Sequence, residues 1–198
     1  MLRFYEKSIL LIEMKKLPIY DVVMGDMNCL SLVARPAIEE DFMLFAKEGE
    51  EMKFAIDDEK RIAFGAAIIA DKPIIRQDAD GSLYYVVFSA DVIRKLVQTF
   101  MANKERTFSE EHDGKPLDGV TIIESFFKRD GLQPKGFENI ADGSWFVALK
   151  IDNDQVWEDL KSGKRKGFSV ECTVQTEERP QPVQMSEVDE IDEIINSL

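Results

Sequence analysis

A serine at the start of an alternating pattern is the first residue of chemical interest. In "KRKGFSVECTVQ", residues 164–175, apolar and polar residues alternate from Phe168 onward. A period of two is typical of a strand with one face in the core and one face open. Ser169 lies on the open face, and Gly167 before it would let a substrate approach the backbone closely. Because a hydroxyl becomes a nucleophile only beside a base, the stretch alone fits an ordinary exposed serine better than a catalytic one.

The chain contains one histidine, His112, within the polar stretch "SEEHDGK". An imidazole titrates near pH ~6.5, so it can take a proton from a weak nucleophile at neutral pH. Taken singly, His112 fits a solvent-exposed loop histidine at a strand end better than a general base. His112 and Ser169 are nevertheless the two residues whose types match nucleophilic catalysis.

Two carboxylates are candidates to orient the imidazole, and the sequence leaves the choice open. Glu171 is two residues beyond Ser169 and therefore on the same strand face, about 7 Å along the strand. Glu124 ends the apolar run "VTIIE" before Phe126 and Phe127, where a charged residue favours a partner. Solvated strand carboxylates would explain both residues equally well.

The two cysteines are predicted to be core residues. Cys172 lies three positions from Ser169 and hence on the apolar face, which makes it a poor competitor as nucleophile, and Cys29 lies in an apolar strand. Two cysteines cannot form a disulfide framework, which fits a reducing cytosol.

The sequence argues against a metal site. With one histidine and no CxxC or HExxH motif, a structural zinc site is not expected. The acidic stretch "EEHD", residues 110–113, offers oxygen ligands for magnesium or calcium, but four consecutive residues of an extended loop cannot all converge on one ion. The basic run at residues 164–166 either attracts acidic substrate segments or charges a solvated turn, and the turn is favoured.

Length and charge limit the class of protein. A chain of 198 residues is long enough for one domain with a core and additional tails. A formal net charge of −13 repels nucleic-acid phosphates, and the only dense basic patch is three residues long, so nucleic acid is not expected as the main partner. No stretch approaches the ~20 apolar residues of a membrane span, which predicts a soluble intracellular protein.

Periodicity divides the chain into short strands with two interposed helices. The predicted strands cover 17–24, a segment within 29–38 that ends at Pro36, 52–57, 61–70, the two arms of a hairpin within 73–89, the approach to His112, 120–127, the part of 141–151 that follows an Asp-Gly turn, and 168–175. One helix covers 90–103 and is capped by Ser89; the other begins at Asp152 or Asn153 and ends at Gly163. Because no regular crossover helices separate the strands, a mainly β fold with helices (α+β), a barrel or sandwich, is predicted rather than a Rossmann-type sheet.

Composition divides the chain into three segments. Residues 1–16 are predicted to be an N-terminal extension, residues 17–176 the globular domain, and residues 177–198 an acidic linker with an amphipathic tail helix. Inside the domain, the charged segment 39–51 is predicted to be a short helix or a docking arm. The tail has an apolar stripe that requires a partner groove, formed by Val188, Ile191, Ile194 and Ile195.

Taken together, the order of these pieces resembles one family, the phage prohead (head maturation) serine proteases. The matching stretches are "SLVARPAIEEDF", "AFGAAIIADKPIIR", "YYVVFSADVIRKLVQTF", "EEHDG…VTIIESFF", "GSWFVALKIDNDQVWEDLKSG" and "KGFSVEC". They cover about residues 17–175. A histidine followed by "GFS" within this order is fairly specific as a set, although no single stretch is.

The resemblance implies an assemblin-like β-barrel of about seven strands surrounded by a few helices. It implies that Ser169 is the nucleophile and His112 its general base, with no metal or nucleotide cofactor. Assemblin-like enzymes commonly place the third triad member on a strand after the serine. Here only 29 residues follow Ser169, and they resemble a linker and an acidic tail. The third member is therefore Glu171, Glu124, a tail carboxylate, or absent.

The resemblance also implies where the protein acts and on what. The expected activity is a serine endopeptidase of capsid maturation, in the host cytoplasm and inside the assembling procapsid. Its expected substrates and partners are phage scaffold and capsid proteins, with cleavage of its own chain and a homo-oligomer left open, and with no nucleic acid or membrane partner. The alternative is a non-catalytic scaffold or core protein of the prohead built on the same fold.

Overall fold

The computed structural model describes residues 17–34, 55–57, 60–103, 107–110 and 115–180, and there the protein is mainly β with two helices. In chain order the elements are β1 (Ile19–Val33), β2 (Ala55–Asp57), β3 (Ile62–Ile68), β4 (Ile74–Gln77), β5 (Leu83–Val87), α1 (Ala90–Ala102), β6 (Thr107–Glu110), β7 (Val120–Phe127), β8 (Trp145–Ile151), α2 (Asp154–Lys161) and β9 (Gly167–Glu178). The predicted α+β class is confirmed, with nine strands in these ranges against the about seven that the family resemblance implies.

Strand β1 is the centre of a five-stranded sheet because three strands pair with it. β9 runs antiparallel along the whole of one edge, from the pair Tyr20–Glu178 to the pair Val33–Gly167. β5 and β6 share the other edge, both parallel to β1, with β6 alongside Cys29–Leu32. β4 extends the sheet through β5. The last residues of β1 therefore lie between β6 and the first residues of β9.

The prediction of two separate strands at 17–24 and 29–38 is wrong, because both belong to β1 as far as the described residues extend. β9 pairs across the whole interval, with a register irregularity on each side of Gly25. A Cβ atom at Gly25 would lie 2.5 Å from the carbonyl oxygen of Thr173. Glycine at this position allows the two backbones to approach closely instead of ending the strand.

The second sheet has four antiparallel strands in the order β2-β3-β8-β7. One apolar cluster contains side chains from both sheets and both helices. Within it, Phe100 of α1 meets Trp145 of β8 edge to face, with ring centroids 6.1 Å apart. Because full burial of a large apolar side chain contributes about 1.5–3 kcal/mol, this shared core holds the two sheets together.

The two helices and the hairpin are confirmed. The Ser89 side chain caps α1 by accepting from the Val92 N–H, and the Asn153 side chain caps α2 by accepting from the Val156 N–H. Strands β4 and β5 form the hairpin, and Gly81 in its turn has a φ of 91°. A positive φ of this size favours glycine, which is why the Asp-Gly dipeptide predicts the turn correctly.

Among the described residues the strands form two hydrogen-bonded sheets, and no strand pairing closes them into one barrel. β9 continues to Glu178, and the Arg179 N–H then donates to the Ile19 carbonyl oxygen, so regular pairing extends past the predicted start of the tail. The predicted extension 1–16, the charged segment 39–51 and the tail helix lie outside the described residues.

Candidate functional site

Ser169 lies near the start of β9, directly opposite Ser31 of β1. The side chain is 8 % exposed, so it is mostly covered but still reached by solvent. The sequence pattern predicts an open face here, and this is wrong at Ser169, which is a buried polar residue. Cys29 and Ser31, which lie on the same face of the sheet, are buried as well.

The turn from α2 into β9 positions Ser169. The Asp159 carbonyl oxygen accepts from the backbone N–H groups of Lys164 and Arg165, and the Lys166 N–H donates to the Val33 carbonyl oxygen. The buried Asp159 carboxylate also accepts from the Lys164 ammonium at 2.6 Å. The first residue of the basic run therefore closes this turn, which agrees with the structural interpretation of that run.

Ser169 belongs to a row of three serines that crosses three strands. Ser31 pairs with Ser169 on one side and with Ser109 of β6 on the other. The side chains of Ser31 and Ser109 are both 0 % exposed, and their hydroxyl oxygens are 2.7 Å apart. Partner residues in a sheet point to the same face, so the three hydroxyl groups share one side of the sheet.

Cys29 extends this polar row, which corrects its prediction as an ordinary core residue. It is buried as predicted, but its thiol donates to the Ser109 hydroxyl at 3.3 Å and lies 3.7 Å from the Ser31 hydroxyl. The sequence signal is the polar Ser31 inside the apolar run "CLSLV". Ser109 has no local signal, because its contact with Ser31 joins residues 78 positions apart.

Cys172 faces the opposite side of β9 and packs against the apolar core, as predicted. Burial raises the pKa of the Cys172 thiol to about 12, and the Arg76 guanidinium opposes this only in part. A thiol with such a pKa carries almost no thiolate at neutral pH. Cys172 is therefore unsuited to act as the nucleophile.

The two candidate carboxylates lie on different sheets. Glu171 pairs with Cys29, one row along β9 from Ser169, and the pairing between the two rows is regular. Glu171 therefore remains on the face of Ser169, as predicted. Glu124 lies on β7, the edge strand of the four-stranded sheet, and is exposed. Glu171 therefore lies on the same sheet and the same face as Ser169, whereas Glu124 lies on the other sheet.

His112 lies outside the described residues, two positions after Glu110, which ends β6. Glu110 pairs with Leu32 of β1, and Leu32 pairs on its other side with Phe168, the residue before Ser169. β6 thus ends level with the start of β9. Within the ranges that the structure describes, no group of three or more His, Cys, Asp or Glu side chains is placed to hold a metal ion.

With the site's geometry described, comparison with known proteins gives the family. The model of the family described as "Putative phage serine protease XkdF" matches residues 51–178, which include β2 to β9 and the four residues His112, Glu124, Ser169 and Glu171. The match covers more than half of the chain. The chain therefore belongs to this phage protein family, and the resemblance seen in the sequence is confirmed at that level.

Two curated relatives come from Bacillus subtilis (strain 168). "Uncharacterized protein YqbD" is 27 % identical over 157 residues, which are 79 % of this chain and 42 % of the relative. "Phage-like element PBSX protein XkdF" is 29 % identical over 146 residues, which are 73 % of this chain and 46 % of the relative. The chain thus matches less than half the length of either relative.

No solved structure matches the chain significantly. Neither helix in the described part of the chain has the length and apolar character needed to cross a membrane.

Proposed function

We propose that this protein is a serine endopeptidase in which Ser169 is the nucleophile and His112 is the general base. The observation that supports it best is the pairing of β6, β1 and β9, which sets Ser169 two strands away from the strand that leads into His112. Family membership supports the same class of reaction.

Chain connectivity limits how far His112 can lie from Ser169. Two extended residues span at most about 7 Å, so the imidazole is tethered to the end of β6. Neighbouring strands are about 4.8 Å apart, which puts the ends of β6 and β9 about 10 Å apart across β1. These two lengths are compatible with contact between the His112 and Ser169 side chains.

The proposed reaction follows from these roles. The His112 imidazole takes the Ser169 proton, and the oxygen attacks the scissile carbonyl of the substrate. Backbone N–H groups near Gly167–Val170 stabilise the resulting oxyanion. The imidazolium then protonates the leaving amine, and a water molecule hydrolyses the acyl-enzyme by the same route in reverse. Glu171 is the better placed carboxylate to stabilise the imidazolium, because it shares the Ser169 face.

The biological setting belongs to the same proposal. An assemblin-like barrel fits the mixed parallel and antiparallel pairing around β1. The proposed substrates are scaffold and capsid-protein segments inside the prohead, in the host cytoplasm. The phage family of the chain supports this setting, and so does the net charge of −13, which argues against nucleic acid as the substrate.

The test is cleavage of the cognate scaffold protein during co-expression. Ser169→Ala should abolish cleavage, with a loss of at least about 10³-fold in rate, because the covalent step is lost. Ser82→Ala, which changes an exposed serine in the β4–β5 hairpin, is the matched control and should cleave normally. Cleavage by a folded Ser169→Ala variant would contradict the proposal and favour the alternative of a non-catalytic scaffold or core protein.

A further inference from the structure

We propose that Ser31 is a positioning residue for the Ser169 hydroxyl, held in place by Ser109 and Cys29. This inference rests on the proposed function, because it assigns a role in the chemistry of Ser169. It concerns three residues on β1 and β6 that sequence reasoning either missed or placed in the apolar core.

Ser31 and Ser169 are close enough for their hydroxyl groups to interact. Ser31 and Ser169 are direct partners in the antiparallel pair of β1 and β9. Directly opposed residues have Cβ atoms about 4.5–5.5 Å apart, so one rotamer of each side chain brings the two hydroxyl groups within hydrogen-bond reach. Ser31 is 0 % exposed and Ser169 is 8 % exposed, so Ser169 is the member of the row that meets solvent.

The Ser31 hydroxyl is held in place by hydrogen bonding on the side away from β9. The Cys29 thiol donates to the Ser109 hydroxyl at 3.3 Å, and the Ser109 and Ser31 hydroxyl oxygens are 2.7 Å apart. A hydroxyl has one hydrogen to donate and two lone pairs to accept with. Because the Cys29 thiol donates to Ser109, the Ser109 hydroxyl can donate its own hydrogen bond to Ser31. The Ser31 hydrogen then points away from Ser109.

A fixed Ser31 hydroxyl can affect the reaction through the rotamer of Ser169. An isolated serine side chain occupies three staggered wells, and only one of them points its oxygen at the scissile carbonyl with its proton toward the base. A neighbouring hydroxyl that cannot rotate freely favours one well by a hydrogen bond. Because such an interaction acts on the reacting geometry and not on substrate binding, it changes kcat rather than KM.

The test compares variants of the full chain by scaffold cleavage and by the rate at which a fluorophosphonate reacts with Ser169. Ser31→Ala should lower kcat and the phosphonylation rate about three- to tenfold, with KM unchanged. Ser31→Thr keeps the hydroxyl and should restore most of the rate. Ser109→Ala should give a smaller loss, because Ser31 keeps its hydroxyl but loses its anchor.

The matched control is Ser144→Ala, which also removes a hydroxyl at 0 % exposure, one that accepts from the Ala70 N–H at 2.9 Å. It should lower thermal stability without lowering kcat. Ser31→Ala at the wild-type rate, or Ser31→Thr as slow as Ser31→Ala, would overturn the role of Ser31 alone. If Ser31→Ala fails to fold, a wild-type rate for Ser109→Ala would overturn it. An inactive wild-type chain would overturn the proposed function as well.

Discussion

At the scale of single residues, one strand presents two possible nucleophiles to different surroundings. Ser169 faces a polar row with limited solvent access, whereas Cys172 packs against the apolar core. Burial raises the pKa of the Cys172 thiol to about 12, so the thiolate form is absent in practice at neutral pH. The parity of the strand, more than the identity of the residues, decides which side chain is available for chemistry.

Replacing Cys172 by alanine is therefore expected to leave the rate of scaffold cleavage unchanged. The loss of core packing should lower the free energy of unfolding by about 1 kcal/mol. Iodoacetamide should leave the proposed scaffold cleavage by the native protein unchanged and should modify Cys172 only after denaturation, which mass spectrometry of the peptides would show. Loss of cleavage through alkylation of Cys172 in the native protein would contradict this prediction.

The alternation of residues 168–175 predicted correctly which side chains share a face of β9. It could not predict that Cys29 is part of a polar row, because that depends on Ser109 of a strand 80 positions away. Local patterns report which face a residue takes, but not what lies beside it on the next strand.

At the scale of elements, the turn between α2 and β9 determines where Ser169 lies. Its centre is the buried Asp159 carboxylate, which accepts from the Lys164 ammonium at 2.6 Å and from the Gln155 amide at 3.0 Å. The hydrogen bond from Lys164 holds the pKa of Asp159 below its usual range, although burial opposes it. The turn is thus stabilised by an ionised carboxylate.

The stability provided by Asp159 should depend on pH. A carboxylate whose pKa is lowered in the folded state stabilises the protein above its unfolded pKa of about 3.9, and that stability is lost as the pH falls through the folded pKa. Asp159→Asn should lower the free energy of unfolding by about 1–3 kcal/mol at pH 7 and by less near pH 3. Urea denaturation at both pH values would measure the difference.

A matched control for this experiment lies on the same helix. Asp154 pairs with Arg61 at 2.8 Å, but its side chain is 93 % exposed. Asp154→Asn should therefore cost less than about 1 kcal/mol at either pH. An equal loss for Asp159→Asn at pH 7 and pH 3 would show that the ionised carboxylate does not stabilise the turn.

The success of prediction for elements depended on local signals. Both helices carry side-chain caps and apolar stripes, and the hairpin carries an Asp-Gly turn, so all three are visible in a short window. The continuity of β1 past Gly25 is not, because it depends on the close approach of β9. A glycine in a strand pattern has two meanings, and only the partner strand distinguishes them.

At the scale of the whole molecule, β9 separates the serine row from the exit of the chain. Ser169 lies at one end of β9, and at the other end the Arg179 guanidinium contacts the Asp21 carboxylate of β1. The intervening strand is about 30 Å long. The first residues after Pro180 therefore cannot return to Ser169, since about nine extended residues are needed to cover that distance. This favours Glu171 over an early tail carboxylate as the third member.

The partition of the strands into two sheets is the part of the fold that local patterns could not predict. β1 pairs with β5, β6 and β9, which come from three separate regions of the chain, and two of these pairings are parallel. Strand periodicity predicts a mainly β fold, a barrel or sandwich, and the family resemblance narrows this expectation to an assemblin-like barrel. For the same reason, the proposed meeting of His112 with Ser169 would depend on long-range pairing and not on any motif.

The most direct test of the central claim is the reaction of the full chain with a fluorophosphonate, followed by mapping of the adduct. Such a reagent modifies a serine hydroxyl that a neighbouring base activates. If His112 activates Ser169, we expect one adduct, on Ser169, in the wild-type protein and no adduct when His112 is replaced by alanine. Equal modification of Ser169 in the His112→Ala variant, or an adduct on another serine instead, would contradict it.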